Sequence, residues 1–168
     1  MAQEKKSAEI VQLVVAELSH EEYGIPITQV QEIIKIPEVT RIPNMPEFIE
    51  GVINLRGKII PIIDLRKRFN LTQKQKDEEA RIVITTIGGQ AVGLVADSVS
   101  EVIRLPAEAI DPVPSVISHI NSEYLSGVGK LDKRIIILLN MEKVLNDLEK
   151  NSLRRIERET SSETESNG

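Results

Sequence analysis

The 168-residue sequence contains no cysteine and no tryptophan, and its aromatic residues are limited to two Phe and two Tyr. Absence of cysteine excludes disulfides, thiol catalysis and cysteine-based metal sites, and it suits a reducing cytoplasm. So few aromatic rings leave no stacking platform for bases. A formal charge of −5 lacks the basic footprint that a phosphate backbone requires. No stretch approaches the roughly 20 apolar residues of a membrane helix. Residues 1–9 are polar, carry no apolar signal core and read as a disordered lead-in. These absences lead to the expectation of a soluble cytosolic protein, one still able to dock to a membrane protein.

What is present is aliphatic. Hydrophobic residues make up 40% of the chain, carried by Ile, Val and Leu. Such β-branched side chains fit the pleated surface of a sheet. The length suffices for one domain, or two small ones, with a real core.

The sequence also repeats. Leu13-Val14-Val15 matches Ile82-Val83-Ile84, and Gly24-Ile25 matches Gly93-Leu94. At the same offset, the stretch from Val30 to Pro37 matches the stretch from Val99 to Pro106, and Pro43 matches Pro112. After an insertion the match resumes, with Phe48-Ile49-Glu50-Gly51-Val52 on Tyr124-Leu125-Ser126-Gly127-Val128, Ile59-Ile60 on Ile135-Ile136, and Asn70 on Asn146. Two long copies imply a pseudo-symmetric pair of subdomains, because a solenoid needs about three or more repeats. Shared residues point to the fold, and departures mark where one copy can have acquired a task.

Local patterns place the elements. Gln12 to Leu18 and Tyr23 to Ile27 read as strands around the turn Ser19-His20-Glu21-Glu22. Val30, Ile33 and Ile34 have helical spacing, which predicts a short helix capped by Thr28 and ended before Pro37. The runs flanking Arg56-Gly57 predict a tight hairpin, and Pro61 predicts that its second strand is at an edge or bulged. Leu65 and Phe69 predict a short helical turn. In the second copy, Arg81 to Ile87 and Ala91 to Val95 form a hairpin at Gly88-Gly89, followed by a short helix near Ser98 to Ile103. A third hairpin turns near Asp132-Lys133. Asn140 is placed to cap a terminal helix with Met141, Val144, Leu145 and Leu148 on one face, covering an open barrel end. The fold expected is mainly β: two packed five-stranded SH3-like β-barrel subdomains with short helices and a C-terminal helix. Subdomain one spans about 10–71, a polar linker 72–79, and subdomain two about 80–147. Residues 151–168 form a charged tail, read as disordered.

Enzyme chemistry lacks its reagents. His20 sits in a polar turn where the second copy has Gly89, and His119 in the insertion has no carboxylate partner in sequence. His20-Glu21-Glu22 lacks the i, i+4 ligand pair of a helical zinc site, and Gly88-Gly89 has no phosphate-loop spacing. No metal, cofactor or catalytic group is expected. The copies differ at the hairpin tip: Leu55-Arg56-Gly57 in the first stands against Leu131-Asp132-Lys133 in the second. Two readings of Arg56 stand. Either its guanidinium is free to bind a partner's carboxylate or carbonyls in bidentate fashion, or the turn simply tolerates any polar residue before Gly. Glu32, repeated as Glu101, reads as a carboxylate on the solvated face of a short helix. Val30 and Val99 read as core.

These segments together resemble the CheW family of bacterial chemotaxis coupling proteins. The resemblance rests on Tyr23-Gly24-Ile25, Val30-Gln31-Glu32-Ile33, the hairpin Gly51-Val52-Ile53-Asn54-Leu55-Arg56-Gly57, Ile60-Pro61-Ile62-Ile63-Asp64-Leu65-Arg66, and Val99-Ser100-Glu101-Val102. It covers residues 10–150 and implies two intertwined barrels. It also implies a non-enzymatic adaptor linking the cytoplasmic tips of transmembrane chemoreceptors to the regulatory domain of the histidine kinase CheA, and recruited to receptor arrays. Carried onto this sequence, the protein-binding residues are Val30, Glu32, Gly51, Asn54, Arg56 and Gly57 on the first-subdomain side, with Val99 and Val102 on the second. The alternatives are a scaffold in a non-chemotactic two-component array, a ligand- or nucleic-acid-binding barrel, and an enzyme. Acidic charge, few aromatics and the missing constellation weigh against the last two.

Overall fold

The computed structural model describes residues 9–72, 75–115, 122–145 and 149–150. Strands β1 Ile10–Leu18, β2 Glu21–Pro26, β3 Val30–Lys35, β4 Ile49–Leu55 and β5 Lys58–Asp64 precede a single helical turn, α1 Leu65–Arg68. They are followed by β6 Arg81–Ile87, β7 Gln90–Ala96, β8 Ser98–Pro106, the two-residue β9 Ile110–Asp111, β10 Leu125–Leu131, β11 Arg134–Leu139 and the turn α2 Met141–Val144. The strands form two sheets, in the orders β8-β1-β2-β11-β10-β9 and β3-β6-β7-β5-β4.

Neither sheet is made from one sequence copy. The first hairpin of each copy, β1–β2 or β6–β7, inserts among the later strands of the other. Parallel ladders seal the exchange: Ile136–Leu138 of β11 runs beside Glu22–Gly24 of β2, and Ile62–Asp64 of β5 beside Gly93–Val95 of β7. Under the repeat, β3-β6-β7-β5-β4 maps onto β8-β1-β2-β11-β10 strand for strand. The sixth strand, β9, pairs with Val128 and Gly129, and its counterpart in the first copy is the isolated bridge from Thr40 to Val52. The sequence boundary at 72–79 thus divides the repeat, whereas the sheets interleave its halves.

Alternation explains the long apolar runs. In β6, Ile82 and Ile84 enter a core inside the five-stranded sheet, while Val83 and Ile87 face a central core between the sheets. In β11, Ile136 and Leu138 enter the inner core of the six-stranded sheet, and Ile137 and Leu139 the central one. Strands buried on both faces must be apolar at successive positions, so they read as continuous runs. All four aromatic residues meet at the central core. Tyr23 stacks on Phe69 at 5.7 Å between centroids, Tyr124 tilts against Phe69 at 5.8 Å, and Phe48 is buried in the same cluster.

Three local expectations are corrected. The two predicted helices are strands β3 and β8; before β3 there is only a 3₁₀ turn over Ile27–Gln29, with no side-chain cap from Thr28. Val30, Glu32 and Ile34 are the half-buried set of β3 and Ile33 is exposed, a period of two. The ladder to β6, a segment of the other copy, overrides the local 3.6-residue pattern. Pro61 lies in an interior strand, just before the ladder to β7 begins at Ile62, and the irregularity falls in β4 between Ile49 and Gly51. Proline's missing donor is tolerated where the strand has a ladder on one side only. Asn140 receives Lys143 and Val144 N–H groups on its backbone carbonyl, and its side chain makes no capping bond. The hairpin turns at Arg56-Gly57, Gly88-Gly89 and Asp132-Lys133 stand where expected. His119, Leu148, most of the insertion, the lead-in before residue 9 and the tail beyond residue 150 lie outside the described residues.

Gly24 and Gly93, equivalent in the two copies, lie in the parallel ladders because the inner cores leave no room there. A Cβ on Gly93 would meet Ile62 Cδ1 at 2.5 Å and Ile82 Cγ2 at 2.8 Å, and one on Gly24 would meet Leu13 Cδ1 at 3.0 Å. Gly93→Ala is therefore expected to cost about 1–3 kcal/mol by overpacking, and Gly24→Ala less. Urea unfolding of both variants checks the size and the order.

Candidate protein-interaction surface

The turn between β4 and β5 is built to project a side chain. Arg56 and Gly57 both have positive φ, 52° and 86°, the two-residue geometry that matches strand twist. Asn54 Oδ1 accepts the Gly57 N–H at 2.9 Å and fixes the turn from below. Nothing lies within 4 Å of a Cβ placed on Gly57, so the tip is open.

Arg56 is not free, contrary to one reading of the sequence. Its Nη1 donates to Glu32 Oε1 at 3.3 Å and its Nη2 to Glu32 Oε2, a two-pronged grip from the hairpin onto β3. Strands β3 and β4 are opposite ends of the five-stranded order, and among the described residues no backbone ladder joins them. The ion pair thus brings the two sheet ends within side-chain reach. The hydrogen bond and charge of Arg56 hold the Glu32 carboxyl below its ordinary value, and Glu32 in turn raises the Arg56 guanidinium. The Arg56 side chain is 69% exposed and that of Glu32 32%. An exposed pair contributes little stability, so its effect is to orient a cation and a carboxylate together at the surface.

The other sequence candidates are distributed. Gly51 is buried at the far end of β4, where a Cβ would run into the Thr40 carbonyl and meet Val39 Cγ1 at 2.9 Å. Val30 and Val99 are half-buried against the central core. Val102 is 51% exposed on β8, and its repeat counterpart Ile33 is 41% exposed on β3. The structure thus groups Glu32, Asn54, Arg56 and Gly57 where the β4–β5 turn reaches across to β3, and places Val99 and Val102 on an edge strand of the other sheet.

A second charge cluster escaped the sequence reading. Arg134 Nε and Nη2 donate to Glu22 at 3.0 and 2.9 Å, and its Nη1 lies 2.7 Å from Glu101 Oε1. Those carboxylates raise the guanidinium's pKa. Glu101 is the counterpart of Glu32, but the arginine that meets it stands just after its hairpin turn instead of within it. The repeated glutamate was the available signal. Among the described residues no group of three or more His, Cys, Asp or Glu is placed to hold a metal, and no helix is long and apolar enough to cross a membrane.

The described residues thus form an interleaved pair of β sheets carrying braced surface ion pairs. A family model described as a CheW-like domain matches residues 12–149, and the chain belongs to the CheW family of chemotaxis scaffold and adaptor proteins. It is 47% identical over 132 residues to the chemotaxis protein CheW of Klebsiella aerogenes, covering 79% of this chain and 80% of that one. It is 33% identical over 144 residues to the CheW of Helicobacter pylori, covering 86% and 87%. The crystal structure of the scaffolding protein TtCheW from Thermoanaerobacter tengcongensis superposes with a TM-score of 0.76 at 41% identity, over 82% of this chain and 89% of that one.

The depressed Glu32 pKa fixes a sign. The pair's contribution is present above the ordinary carboxylate value and is lost as pH falls through the depressed one. An NMR titration is expected to find the Glu32 midpoint below the usual range in the parent protein and moved upward in Arg56→Ala. An unmoved midpoint would mean that the grip is absent in solution.

Proposed function

We propose that this chain is a non-enzymatic cytoplasmic adaptor that couples the cytoplasmic tips of transmembrane chemoreceptors to the regulatory domain of the histidine kinase CheA, within receptor arrays. The observation that carries this reading is the Arg56–Glu32 grip on a projecting turn of one sheet, with a separate exposed edge strand, β8, on the other. Two partners need two surfaces, and the repeat supplies them. Val30, Glu32, Gly51, Asn54, Arg56 and Gly57 belong to the first, Gly51 by shaping the backbone of β4. Val99 and Val102 belong to the second.

Such an adaptor carries out no bond chemistry. It holds kinase and receptor in one geometry, so that a receptor's conformational state changes the kinase's equilibrium through differential contacts. An orienting ion pair suits this role, because charge arrangement fixes register and rejects wrong partners.

Arg56→Ala is expected to leave the fold and melting temperature nearly unchanged and to weaken capture of a CheA regulatory domain or a receptor cytoplasmic fragment by about tenfold, as for an interface arginine of substantial weight. A pull-down with each partner, beside a circular dichroism melt, checks both halves. Loss of folding would make Arg56 structural, and capture of neither partner by the parent protein would overturn the coupling role.

A further inference from the structure

Among the described residues the chain passes between the sheets twice, at Ile27–Gln29 from β2 to β3 and at Asp97 from β7 to β8. The repeat equates these crossings, yet the second has Asp97 where the first has Thr28. Asp97 is tied on every side. Its N–H donates to the Glu17 carbonyl of β1 at 2.9 Å, and its Oδ2 accepts the Ser19 N–H of the β1–β2 turn at 3.0 Å. Arg66 of α1 reaches it with Nε at 2.9 Å and Nη2 at 2.5 Å, and donates Nη1 to the Thr72 carbonyl. Side-chain exposure is 10% for Arg66 and 18% for Asp97.

The same short helix has a second arm. Arg68 Nε donates to the Val144 carbonyl at 2.8 Å, its other nitrogens bind Glu149 at 2.6 and 2.7 Å, and its guanidinium lies over the Phe48 and Tyr124 rings. α1 follows β5 of the five-stranded sheet. Arg66 grips the crossing residue Asp97, which is itself bonded to β1 and its turn, and Arg68 grips α2 and Glu149, which follow β11 of the six-stranded sheet. In the symmetry-related α2, Glu142 and Val144 occupy the places of Arg66 and Arg68. The bracket is one-sided.

A buried ion pair adds little net stability over a well-packed apolar pair, because desolvation offsets its attraction. What it adds is direction, since a bidentate guanidinium–carboxylate pair has one favoured geometry and hydrophobic contact has none. We propose that Arg66 and Asp97 are a positioning pair that sets the angle between the two sheets, and with it the separation of the interaction surfaces at β3–β4 and at β8. One crossing is thereby held, and the Ile27–Gln29 crossing is left as the compliant side. This goes beyond the adaptor role and does not depend on which partners bind.

The absence of cysteine makes the test clean. Lys35→Cys at the end of β3 and Lys133→Cys in the β10–β11 turn place one nitroxide on each sheet, and pulsed electron resonance measures the distance between them in the full chain. The parent should give one narrow distribution, and Asp97→Ala a shifted or broader one with its circular dichroism retained. Because Asp97→Ala leaves a buried guanidinium unpaired and can fail to fold, the double variant Arg66→Met with Asp97→Leu is the deciding case. It is expected to fold, melting near or somewhat below the parent because the Ser19 N–H and the Thr72 carbonyl lose their side-chain partners, yet to lose the narrow distribution. A folded double variant with the parent's distribution, or a broad distribution in the parent itself, would overturn the proposal.

Discussion

The exchange of first hairpins between the two sequence copies is the constraint on which the rest of this structure depends. Strand β2 can complete its sheet only beside β11, and β7 only beside β5, in parallel ladders between distant segments. Neither copy can therefore close its own sheet, so the two halves are expected to fold and unfold together. Pairing at such long range requires loop closure before any contact is gained, which favours slow folding. The reward is an inner core for each sheet and a shared one between them.

That shared core gathers what the composition makes scarce. With four aromatic rings in the whole chain, all are placed at the junction, and two of them lie beneath the Arg68 guanidinium. Aromatic pairs and cation–π contacts add about 1 kcal/mol each beyond the area they bury. They are concentrated where the sheets must meet at a defined angle, while Ile, Val and Leu fill the inner cores. Tyr23, whose hydroxyl donates to Glu21 Oε2 at 3.3 Å, has its pKa raised by burial and by Glu21, so its phenol stays protonated in this core.

Charged residues mark the departures from the symmetry. Both copies keep a glutamate on the strand after the crossing, Glu32 and Glu101, and both meet an arginine from the following hairpin. In the first copy that arginine is in the turn itself, where it forms an exposed tip. In the second, Arg134 lies past the turn and is shared between Glu22 and Glu101, drawn down onto the sheet. One arrangement leaves its charges exposed at a turn, and the other ties β11 to β2 and β8. The one-sided bracket from α1 to Asp97 follows the same logic: a symmetric frame is made directional by a few charged substitutions.

The sequence by itself determined the repeat, the hairpin turns, the mainly β class and the family. These rest on short-range chemistry: glycine and proline in turns, β-branched runs, and the local Asn54-Leu55-Arg56-Gly57 geometry. It also led to Glu32 and Arg56 separately. Only the tertiary structure decided that they grip each other, that the segments at β3 and β8 are strands, and that Gly51 is buried against Thr40. Each of these depends on a partner many residues away. The apolar spacing of Val30, Ile33 and Ile34 suits either a helix or a strand, and the free energy of pairing with β6 of the other copy settles it. Pairing across the exchanged hairpins is a property of the whole chain, which no local window of residues encodes.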